Sequence, residues 1–230
     1  MQEDFQARVE QIEAYFAFIE AIDNETILLT SKDREGSAYS SSHREDLLRT
    51  FKANLFLMLY NLMEATVKNA VETIFDELDR QNISFDSCRS EVKQEVLKNL
   101  RNCHNKSHLQ SRNVTDVLHL FKHFSTDAVT KTFQRTEVVS GNVDAREIRE
   151  LADRYGFDRP AADGDLLLTV KTTRNDLAHG DKSFAEVGRD FDVPRLKDVK
   201  DKTIDYLSKL ISSVTDYITQ RHYLAVTDRP

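Results

Sequence analysis

Helix-breaking residues are scarce in this chain, which has 6 Gly and 3 Pro among 230 residues. Together they make up about 4% of the chain, against about 12% of an average protein. An all-β protein of this length would need many more turn residues, so a sheet fold is excluded. The 13 Phe and the 40% apolar content can fill a hydrophobic core, which excludes a disordered chain. We therefore predict an all-α fold, a helical bundle with little or no strand.

Charge is unevenly distributed along the chain. The total net charge is −7, which argues against a general nucleic-acid coat protein. Residues 89–135, however, contain 9 basic and 4 acidic side chains. A basic middle third inside an acidic protein is a candidate surface for a polyanion.

Other features of the sequence concern the cell compartment. Two Cys in 230 residues do not form a disulfide framework. The first residues, MQEDFQARVEQ, lack the basic start and the apolar run of a signal peptide. The longest apolar run, residues 55–60, is far shorter than the ~18 residues of a membrane span. We expect a cytoplasmic protein without a membrane partner.

Apolar residues recur at steps of three and four along much of the chain, which is the pattern of amphipathic helices. The predicted helices cover residues 2–22, 42–80, 88–101, 113–124 and 144–157, a segment that begins near 163–165 and stops at Gly180, and residues 194–218. In the second helix, Ser42 and Glu45 form a capping-box pattern. Its apolar stripe consists of Phe56, Tyr60, Met63, Val67, Val71, Ile74 and Leu78. Residues 30–41 have no period and are predicted to form an exposed loop, and residues 102–113 a polar, basic loop.

The segment KTTRNDLAHGD, residues 171–181, carries the candidate chemistry. Arg174 and His179 are five positions apart, which on an ideal helix separates their directions by ~140°. Gly180 is a usual left-handed helix stop, so His179 is expected where the chain leaves the helix and can turn back towards Arg174. Arginine binds two phosphate oxygens through its planar fork. A His at a helix C-terminus can exchange a proton near neutral pH.

The same pattern also fits a structural role, since basic residues in a last helical turn before Gly are ordinary capping chemistry. Spacing alone leaves both interpretations open. The chain lacks the motifs GxxxxGK[ST], GxGxxG, HExxH and GxSxG. ATP hydrolysis, hydride transfer and zinc proteolysis therefore have no support, and we expect no cofactor.

The run RNDLAHG, residues 174–180, resembles the Arg-x4-6-His signature of the HEPN superfamily (higher eukaryotes and prokaryotes nucleotide-binding domains). Two other stretches, FLMLYNLMEATVKNAVETIFDEL and SGNVDAREIRELADRYGF, are similar to a prokaryotic HEPN branch found in conflict and defence loci. With the last helix, the resemblance covers most of residues 45–220. It implies a single HEPN-like domain over residues 1–230, with its core at about 42–220, an exposed loop at 30–41 and a basic insertion at about 101–141.

Many members of this superfamily are metal-independent ribonucleases that act as homodimers. By this resemblance, Arg174 binds the scissile phosphate, and His179 is the general acid or base for attack by the ribose 2′-hydroxyl. Asn175 orients His179 or binds a phosphate oxygen, and Asp176 is a further supporting residue. Members silenced by nucleotidylation carry a Tyr two residues after the His. Because Asp181 stands at that position here, we do not expect that form of control.

The function that the resemblance implies is an endoribonuclease acting as a toxin or anti-phage effector. Its expected partners are an RNA substrate, a second copy of the chain, and an antitoxin or defence-system protein. One alternative is a non-catalytic HEPN module that binds RNA, a nucleotide or a protein partner. Another is an antitoxin or dimerisation subunit.

Further polar residues are candidates for supporting roles. Glu64 lies beside the apolar stripe of the second helix, where the resemblance implies contact with Arg174; a carboxylate that reaches solvent is the alternative. Five basic residues are predicted either to track RNA or to be solvated surface: Lys98, Arg101, Lys106, Arg112 and Lys122. The nearby Cys103, His104, His108, His119 and His123 lack a complete zinc-ligand spacing, so we predict no metal site.

Overall fold

The computed structural model describes residues 1–27, 41–106 and 142–229, with side chains except at 41–43 and 99–106. The α-helices in these ranges are α1 (Gln2–Asp23), α2 (Ser41–Arg80), α3 (Ser90–Lys106), α4 (Ala145–Tyr155), α5 (Asp165–His179), α6 (Phe184–Asp190) and α7 (Val193–Thr219). A short 3-10 helix, Val226–Asp228, follows. The described ranges contain no strand, only an isolated antiparallel bridge between Cys88 and Leu224. The all-α prediction is confirmed.

The described chain forms two compact units. The first comprises Met1–Thr66, Asn142–Ala145 and Ala162–Ser208. The second comprises Val67–Gly141, Arg146–Ala161 and Lys209–Pro230. The motif of residues 174–180 belongs to the first unit, as does Glu64.

In the first unit, the periodic apolar residues of α1 are buried as a single stripe. They are Phe5, Val9, Ile12, Phe16, Ile19 and Ile22. Lys200 of α7 is only 2% exposed, and its Nζ donates to Glu13 Oε1 at 2.5 Å and to Asp201 Oδ1 at 2.6 Å. The same ammonium lies 5.3 Å from the centre of the Phe16 ring. A buried charge needs such partners, so this contact specifies how α1 packs against α7.

The second unit contains a buried ion pair of its own. Glu95 of α3 is 6% exposed and accepts hydrogen bonds from Arg154 Nη2 at 2.8 Å and Lys98 Nζ at 2.6 Å. Burial would raise the pKa of Glu95, but the two cations outweigh this effect and the pKa is lowered. Tyr217 of α7 donates its hydroxyl hydrogen to the carbonyl oxygen of Tyr155 at 2.7 Å. These contacts link α3 to α4 and α4 to α7.

The helix boundaries agree with the predictions at most positions and differ at a few. Since α3 continues to Lys106, the predicted loop is wrong for residues 102–106, because a polar run without Gly or Pro can still be helical. Leu97 is 49% exposed and is not part of the buried face of α3. Helix α6 is not expected from the apolar period, although Ser183 and Glu186 form a complete capping box at its start.

Two predicted elements fall wholly or mostly outside the described residues. Residues 30–40 of the predicted loop and the whole predicted helix 113–124 lie outside the described residues. Residue 41, placed in that loop by the sequence, is the first residue of α2. None of the described helices combines the length and the apolar character that a membrane span requires.

Candidate functional site

Helix α5 carries the Arg/His motif, and its buried face fixes the orientation of the motif in the first unit. The residues of this face are Leu167, Val170, Thr173 and Leu177. The helix ends at Gly180, whose φ of 77° is left-handed, a conformation that glycine adopts without strain. The carbonyl oxygen of Asp176 accepts the backbone N–H groups of Gly180, Asp181 and Lys182. This closure ends the helix directly after His179.

Arg174 is half-buried and stacks on an aromatic ring of α2. Its guanidinium carbon lies 4.5 Å from the centre of the Tyr60 ring, which is a close cation–π contact. Arg174 Nη1 also donates to Asn175 Oδ1 at 3.0 Å. In this chain the Asn175 side chain therefore binds Arg174.

Tyr60 is itself anchored by polar contacts. Its ring is 2% exposed, and its hydroxyl oxygen accepts the backbone N–H of Val143 at 3.2 Å. Burial is the largest effect and raises the pKa of Tyr60; the charge of the nearby Glu64 carboxylate and a hydrogen bond to it raise the pKa further, and together with burial they outweigh the lowering by the Val143 N–H and by Arg174. The phenol therefore stays protonated and donates its hydrogen to Glu64.

Glu64 joins this group through Tyr60. It lies one helical turn after Tyr60 and is half-buried, yet it forms no ion pair with Arg174 among the contacts of the described residues. The sequence left two interpretations of Glu64: its carboxylate either contacts Arg174 directly or reaches solvent. In the structure the carboxylate is connected to Arg174 through the Tyr60 side chain.

His179 is the last residue of α5 and is exposed. Because the helix continues through His179, its direction differs from that of Arg174 by ~140° around the axis. In the described part of the chain, its side chain has no hydrogen-bond or ion-pair partner. The imidazole of His179 is therefore accessible to solvent and to other molecules.

Two further contacts complete the polar surroundings of α5. Asp176 is half-buried, with Oδ2 3.6 Å from Lys182 Nζ. One turn before Arg174, Lys171 Nζ donates to Asp144 Oδ2 at 2.7 Å. Asp144, the residue directly before α4, thereby connects that segment to α5. The partners are 27 positions apart in the sequence, so no local pattern indicates this pair.

Little of the predicted RNA-tracking surface can be located. Lys98 is exposed and its ammonium pairs with Glu95, so its charge is largely compensated within the second unit. Arg101 and Lys106 belong to α3, and their side chains lie outside the description. The other two basic residues, Arg112 and Lys122, lie outside the described residues, as do His108, His119 and His123. Cys103 and His104 belong to the part of α3 described by its backbone. Within the described part, no group of three His, Cys, Asp or Glu side chains fits a metal ion.

An open groove of about 630 Å³ lies along another part of α5. Its lining residues are Leu168, Thr169, Thr172, Thr173, Asp176, Lys182, Asp190, Phe191 and Arg195. Two carboxylates and two cations balance in this lining, and Lys182 Nζ lies 3.6 Å from Asp176 Oδ2 and 3.8 Å from Asp190 Oδ2. Of the candidate site residues, Asp176 lines the groove, whereas Arg174 and His179 do not.

The chain was compared with known proteins. A family model described as MAE_28990-like HEPN matches residues 1–223. The match includes α1 to α7 and every residue of the candidate site. Neither the comparison with curated proteins nor the comparison with solved structures found a match.

Proposed function

This chain belongs to the MAE_28990-like HEPN family, and from that premise we propose that it is a metal-independent endoribonuclease acting as a toxin or anti-phage effector. HEPN domains are nucleotide-binding or ribonuclease-type modules, and the family is commonly associated with nucleases. The reaction is attack of a ribose 2′-hydroxyl on the adjacent phosphate. RNA is the substrate because DNA lacks this hydroxyl.

The observation that carries the proposal is the electrostatic state of Arg174. Its guanidinium is half-buried, stacked on Tyr60 and hydrogen-bonded to a neutral amide. No carboxylate of the described residues forms an ion pair with it. A partly desolvated cation without an anionic partner attracts an anion strongly. A phosphodiester of RNA satisfies this requirement, and Arg174 then stabilises the charge that develops on the phosphate oxygens.

His179 supplies the proton transfer in this proposal. As base, the neutral imidazole removes the proton of the 2′-hydroxyl, whose oxygen then bonds to phosphorus. The bond from phosphorus to the 5′-oxygen breaks, and that oxygen receives a proton from a protonated imidazole. The products are a 2′,3′-cyclic phosphate and a free 5′-hydroxyl. No redox partner and no metal ion take part in this balance.

Two copies of the chain form the complete site in this proposal. Within one copy, the directions of Arg174 and His179 differ by ~140°, so one phosphate is reached more readily by residues of two α5 helices. Leu168 is 55% exposed and lies on α5 within ~20° of the direction of His179. An exposed apolar residue on this face supports a homodimer that buries it, with α5 and α7 as interface elements.

The test compares four proteins: wild type, His179→Ala, Arg174→Ala and the control Arg189→Ala. Arg189 is exposed on α6 and matches the charge change at Arg174. Each protein is incubated with total RNA and with tRNA in excess EDTA, and the product ends are mapped. We expect cleavage with cyclic phosphate ends by wild type and by the control, and at least a ~100-fold loss in the two site variants. Cleavage that persists in His179→Ala overturns the proposed mechanism.

One observation favours a second candidate function, a non-catalytic module that binds RNA. A catalytic His usually has a partner that orients its ring, and no described residue provides one for His179. In a binding module, Arg174→Ala weakens RNA binding while His179→Ala leaves it unchanged, and wild type shows no turnover. Gel-shift titration of the same four proteins separates the two functions.

A further inference from the structure

We infer that Tyr60 is a positioning residue that fixes the guanidinium of Arg174 for phosphate binding. This inference rests on the proposed function, because it concerns how the same site binds the RNA phosphate. It assigns a functional role to a residue that the sequence pattern places only in the apolar stripe of α2.

The contacts of Arg174 show how its orientation is restricted. The guanidinium carbon of Arg174 lies over the Tyr60 ring, 4.5 Å from its centre, and Asn175 Oδ1 accepts a hydrogen bond from Nη1 at 3.0 Å. The aromatic ring and one N–H group thus restrict the guanidinium within the protein. Arginine has five N–H donors, so the remaining edge of the plane is available for the two oxygens of a phosphate.

Tyr60 has the rigidity that such a support requires. Its ring is buried in α2, and its hydroxyl accepts from the Val143 N–H at 3.2 Å and donates to Glu64. The ring is therefore fixed at its base by the helix and at its tip by two polar partners. Glu64 and the segment at Val143 influence Arg174 through this ring.

Charge supports the same assignment. Glu64 is hydrogen-bonded to the Tyr60 hydroxyl and, in the described part of the chain, forms no ion pair with the Arg174 guanidinium. It therefore holds the ring in place without neutralising Arg174. A direct Glu64–Arg174 pair would compete with the phosphate for the same donors. Stacking on a neutral ring restricts the guanidinium and leaves its N–H edge accessible.

The experiment is a double-mutant cycle on RNA binding with the full chain. The proteins are wild type, Tyr60→Met, Arg174→Ala and the double variant, with Tyr60→Phe as the conservative control. Methionine fills a core site of this size flexibly but offers no aromatic face, whereas phenylalanine retains the face. The probe is a 2′-O-methyl RNA, which cannot be cleaved by 2′-hydroxyl attack, and its dissociation constant is measured at one fixed salt concentration.

We expect Arg174→Ala and Tyr60→Met each to weaken binding by about 5- to 20-fold. The double variant should bind no more weakly than Arg174→Ala, because without the guanidinium the ring has nothing to orient. Tyr60→Phe should stay within about 3-fold of wild type, since the stacking face is present. A purely structural role for Tyr60 gives additive losses in the double variant, and that result overturns the inference.

A second measurement needs no substitution at Tyr60. In wild type, the Hε proton of Arg174, identified by its disappearance in Arg174→Lys, should resonate upfield of the arginines that lie over no aromatic ring, because the Arg174 guanidinium carbon lies 4.5 Å from the centre of the Tyr60 ring. An Hε signal at the position of exposed arginines overturns the inference even if Tyr60→Met does not fold.

The outcomes also separate the inference from the proposed function. If the losses of RNA binding at Tyr60 and Arg174 are not additive and wild type cleaves no RNA, the ribonuclease is refuted and the role of Tyr60 is supported. If wild type cleaves RNA and the losses of binding at Tyr60 and Arg174 are additive, the ribonuclease is supported and the role of Tyr60 is refuted. If Arg174→Ala affects neither binding nor cleavage, both are refuted.

Discussion

Gly188 offers the sharpest quantitative test of the packing in the first unit. It is a buried residue in the short helix α6, and it lies against the backbone of Arg49 in α2. A β-carbon at position 188 would lie 2.1 Å from the Arg49 carbonyl oxygen and 2.4 Å from its Cα. Ordinary van der Waals contact begins at 3.4 Å. Because the obstacle is backbone, no rotamer change can relieve it, and α6 must move by more than 1 Å.

The expected effect of Gly188→Ala combines two opposing terms. Helix propensity alone favours alanine over glycine in a helix interior by about 1 kcal/mol. Overpacking a tight site costs about 1–3 kcal/mol, with values near the upper end where backbone must shift. The displacement also loosens the contacts of Val187, which is 1% exposed. We therefore expect a net loss of about 2 kcal/mol, which is ~4–8 °C in Tm for a chain of this size.

The assay is thermal and urea unfolding of wild type, Gly188→Ala and the control Arg189→Ala. Arg189 lies next in the same helix and is exposed, so its substitution should change stability by no more than ~0.5 kcal/mol. A Gly188→Ala protein that is as stable as wild type, or more stable, shows that helix propensity decides at this position. That result would contradict the close packing of α6 against the α2 backbone at Arg49.

Three further predictions concern other parts of the molecule. At Gly180, φ is 77° but no atom lies within 4 Å of a β-carbon, so Gly180→Ala should cost only the left-handed strain of about 1 kcal/mol, measured by urea unfolding. Arg154→Met removes a cation from the buried Glu95 and should cost about 2–4 kcal/mol; an unchanged urea midpoint contradicts the importance of this pair. The hydrogen-bonded Arg89 lowers the pKa of Glu91 to about 2 in the folded state, from 4.5. Stability from this carboxylate is therefore complete above pH 4.5 and lost as the pH falls to about 2, so Glu91→Gln should lose less stability than wild type between pH 6 and pH 3.

Most of the helices could be predicted because the spacing of apolar residues and the residues at helix ends are visible in short stretches of sequence. The buried stripe of α1 and the stripe of α2 follow directly from apolar residues at steps of three and four. The end of α5 follows from Gly180, since a residue without a β-carbon adopts the left-handed conformation at low cost. Helix α6 is too short for its apolar period to be evident, and only its capping box marks it.

The candidate site was predictable in its residues and not in its contacts. Similarity to a family motif indicates Arg174, Asn175 and His179, and the family is confirmed by the match over residues 1–223; the catalytic roles stay predictions. The motif does not reveal that Asn175 binds Arg174, nor that the helix continues through His179 and thereby keeps the ~140° separation from Arg174.

What the sequence by itself determined is the helical class, most helix boundaries and the family, because each depends on residues that are close along the chain. Only the tertiary structure decided which side chains meet. Tyr60 reads as one more apolar position of α2, yet it lies under Arg174, 114 residues later in the chain, and is anchored by the backbone of Val143. Such contacts form when packing brings distant segments together, and the free energy that fixes them comes from burial of the whole unit.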